Sequence, residues 1–389
     1  MPDGVGKCSS MTVKILSAIG DVDAAAWDAC AGTRNPFVRH AFLAALEESG
    51  AVSAETGWMP QHLAAHDGDG VLIGCAPLYL KSHSYGEYVF DWAWADAYQR
   101  AGGQYYPKLQ AAVPFTPVPG PRLLLQPGAP AATADALAGA MVQLVGRLDL
   151  SSAHVTFAEE CEWRRLGARG FLLRVGEQYH WLNRGYQSFD DFLAALSSRK
   201  RKAIRKERRA VADQDIRIRT VVGGQIEPRH WDAFYRFYRN THARKWGHAY
   251  LNRAFFRLLA ERIGDTVVMV VAELGSGEPI AGALNIRGPD ALYGRYWGCT
   301  EAAKFLHFEV CYYRAIDFAI EHGLSRVEAG AQGPHKIQRG YLPVRTFSAH
   351  WIADARFRDA LDHFLMRERA AMEEEGRLAA EASPYRSDL

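Results

Sequence analysis

One hairpin pattern occurs twice in this chain, and it constrains the fold more than any single residue does. A shift of 207 positions aligns Ala65 with Ala272, Gly68 with Gly275, Gly70 with Gly277, Ile73 with Ile280 and Ala76 with Ala283. Both segments read A-x-x-G-x-G-x-x-I-x-x-A. Turn glycines recur in many hairpins, so the order around them carries the argument. Helical stretches at 24–30 and 40–50 precede the first hairpin, and stretches at 228–245 and 252–263 precede the second. Helix, helix, strand, strand, twice over, predicts a duplicated α/β unit with mixed sheets.

The 389 residues leave room for two such units. The longest apolar runs, such as Val267–Ala272, are strand-length, well short of the ~18 residues a membrane span needs. The start of the chain lacks the features of a signal peptide. Residues 1–11 read as a disordered tail. The six cysteines, at 8, 30, 75, 161, 299 and 311, form no C-x-x-C pair. Reduced thiols in a cytoplasmic protein without a metal site are the expectation. The net charge of +2 predicts no partner by itself.

Further elements follow from period and punctuation. Strands are expected at 61–66 and 71–80, with Pro77 marking a bulge or an edge. Residues 81–130 are irregular and rich in aromatics. A helix at 131–148, strands at 154–158 and 171–182, and a short helix at 160–167 come next. Ser188 caps a helix that leads into a basic run, followed by strands at 266–274, 279–287 and 291–298. A helix at 307–322 stops at Gly323, and a strand covers 326–329.

Four segments concentrate chemistry. Residues 199–209 hold eight Lys/Arg and one Glu. On a helix, Arg201, Arg205 and Arg208 share a face with Lys202 nearby, and Ile204 points away. That face suits phosphates, whereas a solvated linker helix is the bland alternative. The stretch from Glu328 to Tyr341 is the second. Gly330, Gly333 and Gly340 admit close backbone approach, and Glu328, Gln332, His335, Lys336 and Arg339 supply an acid/base set with an anion clamp. Third, His307 and Glu309 open the long helix, where donors and the dipole favour anions. Fourth, Asp91, Trp92, Tyr105 and Lys108 lie in an aromatic segment suited to lining a cleft, with plain packing the alternative. The G-x-S-x-G, H-E-x-x-H, phosphate-loop and dinucleotide-turn motifs are absent.

The order of these motifs resembles the FemABX-like branch of the GNAT (Gcn5-related acetyltransferase) superfamily. The residues concerned are Phe234–Thr241, Tyr293–Gly298 and Val327–Gly330, together with Phe90–Tyr98, Tyr105–Leu109, Pro114–Val118 and Gly330–Tyr341. The resemblance implies two tandem GNAT-like domains facing a shared cleft, at 12–180 and 181–355. The second begins with the basic helix at about 190–212, and a C-terminal helix and tail fill 356–389. It implies transfer of an acyl or aminoacyl group to an amine of a small molecule, peptide or cell-wall precursor. The cosubstrate would be aminoacyl-tRNA or an acyl-CoA. The donor would lie between the strands at 291–298 and 326–329. The acetyl-CoA loop [QR]-x-x-G-x-[GA] is met only by Arg295–Thr300, with Thr in the last place. An acetyl-CoA-dependent N-acetyltransferase and a non-catalytic anion- or tRNA-binding module stand as the other readings.

Overall fold

The computed structural model describes residues 11–245, 249–330, 333–381 and 383–386. Residues 1–10 of the tail expected at 1–11 therefore lie outside the described residues, as does Gln332. In chain order the elements are β1 (Thr12–Leu16), α1 (Ala24–Ala31), α2 (His40–Glu48), β2 (Trp58–Pro60), β3 (His62–His66), β4 (Leu72–Ala76), β5 (Leu78–Lys81), α3 (Trp92–Arg100), β6 (Lys108–Ala111), β7 (Leu124–Leu125), α4 (Ala132–Arg147), β8 (Ser152–Ala158) and α5 (Glu160–Ala168). Then come β9 (Leu172–Leu182), α6 (Phe189–Ala195), α7 (Ser198–Ala212), β10 (Ile216–Val222), α8 (Pro228–Lys245), α9 (Arg253–Ile263), β11 (Val267–Leu274), β12 (Pro279–Arg287), β13 (Ala291–Cys299), α10 (Leu306–Phe308), α11 (Arg314–Glu321), β14 (Arg326–Glu328), β15 (Leu342–Ile352) and α12 (Ala355–Glu381). Two compact units divide the chain. The first takes Met1–Pro114, Pro119–Arg174 and Phe347–Met366, and the second Phe115–Val118, Val175–Thr346 and Arg367–Leu389.

In the first unit β3 pairs with β1 and β4, all antiparallel. The Asp67 carboxylate accepts from the amides of Asp69 and Val71 and closes the β3–β4 turn, with Gly70 at a φ of 80°. Pro77 has no amide to donate and interrupts the second arm of the hairpin. The two pieces choose different partners, β4 pairing with β7 and β5 with β2 and β6. β6 then runs parallel to β8, which pairs antiparallel with β15. Helix α4 lays Leu137, Met141 and Leu144 onto this core.

In the second unit β10, β11, β12 and β13 form an antiparallel run, β13 pairs parallel with β14, and β14 pairs antiparallel with β9. Helices α6 and α11 cover one side through Phe192, Leu193, Ile316 and Ala319. Helix α8 approaches so closely that a methyl group on Gly298 would sit 2.2 Å from the Phe237 carbonyl oxygen. Only glycine fits there.

The repeat is carried by the backbone itself. In β3–β4, Leu63 opposes Ala76, Ala64 opposes Cys75, and Ala65 opposes Gly74, before a register shift at Ala65/His66. In β11–β12, Val270 opposes Ala283, Val271 opposes Gly282, and Ala272 opposes Ala281, before a shift at Ala272/Glu273. Every pair and the bulge keep the 207-residue offset. A bulge is an unneeded coincidence between unrelated hairpins and an expected one between copies.

The aromatic segment departs from expectation. Residues 81–130 are not irregular throughout, for α3 and β6 form within them. The sequence W-A-W-A-D-A-Y alternates like a strand, and tertiary packing overrides that pattern. Trp94 and Ala95 of α3 join Leu172, Leu361 and Leu365 in a small core. The long helix expected at 307–322 also differs. It starts at Leu306, ends at Glu321, and carries a π-helical turn at Glu309–Tyr313. Among the described residues no helix is long and apolar enough to cross a membrane.

Candidate functional site

The second unit opens where β13 and β14 part. The two strands pair through Ala291–Arg326, Leu292–Val327 and Tyr293–Glu328, and no further. Beyond that point β13 continues to Cys299 on the side of β12 alone. The pairing with β12 skips one residue, Arg295, between Leu284 and Asn285. Such a bulge bends a strand and increases its twist, which separates β13 from its parallel neighbour. A cavity of about 110 Å³ results, lined in part by Gly294, Arg295, His307, Tyr312, Ala329 and Gly330. The π turn shapes its helical wall, a distortion frequent at functional positions.

Residues 333–341 lie beside this opening, tied to Ala329, Gly330 and Tyr312 of its lining. Lys336 is 3% exposed, and its Nζ donates to the carbonyls of Ala329 at 2.7 Å and Gly330 at 2.9 Å. Burial lowers its pKa to about 8. His335 is exposed, and its Nε2 lies 3.0 Å from the hydroxyl of Tyr312. His307 packs edge-on against Trp297 and Tyr312. Gly333, at a φ of 122°, lets the chain turn into the short helix Pro334–Arg339. Arg339 is 7% exposed, donates to Glu207 at 2.8 Å and to the His335 carbonyl, and lies 3.3 Å from the ring centre of Phe308. An anion reaching Arg339 would have to displace Glu207.

Glu328 sits at the last paired position of β14. Its Oε1 accepts from Arg326 at 2.9 Å, and its Oε2 accepts no hydrogen bond among the described residues. Burial pushes its pKa up to about 7, because the Arg326 ion pair offsets only part of the lost hydration. His180, 3.8 Å away, is driven down to about 3 by burial and by Arg326, so it is neutral. Arg295 donates to the carbonyl of Phe115 at 2.6 Å, and Gln178 to that of Pro117 at 2.7 Å. The Pro-Phe-Thr-Pro-Val segment is thus held against this end of the sheet. Glu309 is buried and paired with Arg208 and Arg314, so its carboxylate is already engaged within the fold.

The aromatic segment assembles a separate cluster inside the first unit. Lys108 donates to Asp91 at 2.5 Å, Glu87 at 2.8 Å and Ser84 at 2.9 Å, and Tyr105 donates to Asp91 at 2.7 Å. Burial raises Glu87 to about 7 and lowers Lys81, 3.9 Å from it, to about 7. Burial works against the Asp91 charge, yet Lys108 holds that carboxyl well below the usual range. Trp92 stands at the rim, 39% exposed, edge-on to Tyr85. Sequence reading brought Asp91, Tyr105 and Lys108 together but missed Lys81 and Glu87. The buried network continues through His154 to His350, whose Nδ1 atoms lie 2.7 Å apart.

The first unit also has a parallel pair that ends early, at Ala111–Val155. Past that point another part of the chain lies against β8. The Gly120 amide donates to the Phe157 carbonyl, and Arg122, wholly buried, donates its Nε to the Thr156 carbonyl at 2.9 Å. The chain at 120–122 is thus hydrogen-bonded to β8 just past the end of its pairing with β6.

The basic run forms α7, and its faces divide. Ile204 and Val211 are buried. Arg208 turns inward to Glu309 at 3.0 Å and Asp317 at 2.7 Å, so it does not share the outer face with Arg201, Lys202 and Arg205. Arg205 makes a solvent-exposed pair with Asp190 at 2.8 Å. Among the described residues no group of three metal-ligating side chains gathers.

A family model, FemAB-like, described as peptidoglycan biosynthesis/recognition, matches residues 18–387. No curated protein matches the sequence. Among solved structures, FemX matches with a TM-score of 0.55 at 11% identity, over 88% of this chain and 98% of FemX. L-PGS from Bacillus licheniformis gives 0.51 at 10% identity, over 86% of this chain and 98% of its own. A conserved protein of unknown function from Bacteroides thetaiotaomicron gives 0.51 at 11%, over 87% and 100%. At these identities the structural likeness speaks for the fold alone. That fold is a tandem pair of GNAT-like α/β domains.

Proposed function

This chain belongs to the FemAB-like family of peptidoglycan biosynthesis and recognition, and from that premise we propose that it moves an acyl or aminoacyl group onto an amine at the parting of β13 and β14. It is an enzyme of the N-acyltransferase class. The observation that carries the reading is the opening itself, a bulged strand and a π turn around a cavity whose lining residues Tyr312, Ala329 and Gly330 bond His335 and Lys336. A space of about 110 Å³ admits the acyl end of a donor, not its carrier.

The acceptor amine attacks the donor's carbonyl carbon. A C–N bond forms, and the ester or thioester bond to the carrier breaks. His335 takes the amine's proton, since it is solvent-accessible and bonded to Tyr312 on the cavity wall. An ammonium has three N–H groups, and two of those on Lys336 meet carbonyls, so its charge is fixed beside the developing oxyanion. The donor is aminoacyl-tRNA, with its phosphates on Arg201, Lys202 and Arg205. The acceptor is an amine of a peptide or cell-wall precursor.

Mass spectrometry of tRNA and small molecules that co-purify with the protein identifies the pair. With that pair, His335→Ala is expected to lower turnover ~10²-fold, the scale of a lost acid/base group. Turnover within a few-fold of the parent would remove His335 from the chemistry.

A further inference from the structure

The short helix Pro334–Arg339 hangs between two glycines of positive φ, Gly333 at 122° and Gly340 at 89°. Such a segment is not rigid by its own backbone. Its far end is gripped from two sides. Glu207 accepts from Arg339 at 2.8 Å with one carboxylate oxygen and from the Tyr313 hydroxyl with the other. The carbonyl of Gly340 accepts from the Tyr385 hydroxyl at 2.8 Å.

Both grips are anchored. Glu207 is the lone acid among residues 199–209, and a face built only for phosphates gains nothing from it. Its two partners account for its presence. Tyr385 is held by its own main chain. Pro384 accepts from the Ser197 amide at 2.9 Å, the Arg386 amide donates to Ala195 at 3.1 Å, and Leu196 and Tyr385 form an antiparallel bridge. The ring packs edge-on to Phe192, with the Arg184 guanidinium 4.6 Å from its centre. A methyl at Gly340 would clash with Phe192 at 2.7 Å and press on the Tyr385 hydroxyl at 3.1 Å. The fit at that point is therefore close.

We propose that Glu207 and Tyr385 are positioning residues, a two-sided clamp that sets the turn carrying His335 and Lys336 beside the opening between β13 and β14. The turn's part in acyl transfer rests on the function proposed above. The clamp itself is a claim about geometry and can be tested without a substrate. Neither residue touches the cavity, and each acts through the turn.

The test is trace acetylation of the full chain with acetic anhydride across a pH series, read peptide by peptide in the mass spectrometer. In the parent, Lys336 should label slowly, with a midpoint near about 8. Tyr385→Phe and Glu207→Gln each remove one grip with minimal change of shape. In either variant the midpoint should move up toward the ordinary lysine value of ~10.4, as water reaches the amine. Labelling above the midpoint should speed up roughly fivefold, the scale of one lost hydrogen bond. Amide exchange should quicken over 333–341 and stay unchanged in β11. An unchanged midpoint with unchanged exchange in both variants overturns the proposal. A rise in exchange spread evenly over the second unit also overturns it, since the residues would then be ordinary fold contacts. A response in one variant alone removes the other residue from the clamp. A silent His335→Ala beside a positive labelling result would remove His335 from the proposed chemistry and leave the clamp standing.

Discussion

Glu328 concentrates the residue-scale argument. Its carboxyl is 4% exposed, one oxygen meets Arg326, and its pKa stands near about 7 against an ordinary 4.5. The folded state therefore holds the proton more tightly than the unfolded chain does. Stability from this group is fully present below pH 4.5 and is lost as pH rises through about 7. Glu328→Gln, isosteric and never charged, should flatten that decline. Urea unfolding at pH 5 and at pH 7.5 measures it, and a parental slope in the variant would show that Arg326 offsets the buried charge in full. Glu87 has the same sign in the first unit. His154 has the opposite one. Burial holds it near about 3, so it costs stability as pH falls below the ordinary histidine value.

Helix α7 shows what an element does that its residues do not. Its basic run is legible as a helix, but which side faces water depends on what packs against it. Ile204, Glu207 and Arg208 turn toward the second unit's core, and Arg199, Lys202, Arg205 and Lys206 stay exposed. Exposed pairs such as Arg205–Asp190 are weak, so a phosphate can exchange for Asp190. Arg201→Ala with Arg205→Ala should reduce the slope of log affinity for tRNA against log salt by about 1.5 to 2. Filter binding between about 50 and 200 mM salt reads it, and an unchanged slope would make α7 a solvated strut. Local signals announced the elements that could be read in advance, such as the Asp67–Gly70 turn and the Ser188 cap. β1, β10 and β15 were silent, because each is defined by a partner distant in the chain. The same holds at the site. Glu328, His335, Lys336 and Arg339 crowd one Gly-rich stretch and are visible together. Tyr312, Glu207, His180 and Tyr385 reach them only through folding. The lone acid at 207 was the one local hint.

At the scale of the whole molecule, the chain is one design written twice with one alteration. The hairpins keep register and bulge across 207 residues, yet the parallel pairs end differently. Beside β13 a cavity remains, whereas in the first unit the segment carrying Arg122 hydrogen-bonds β8 past the end of its pairing with β6. The donor identified by co-purification should saturate at one molecule per chain in calorimetry. A plateau at two would mean that the first unit binds the donor as well.

This difference has a consequence for robustness. Duplicated machinery ordinarily offers redundancy, with one copy able to cover for damage to the other. Here Arg122 is built into the first unit's strand β8. On the function proposed above, a lesion at the β13 bulge is therefore expected to abolish activity instead of halving it.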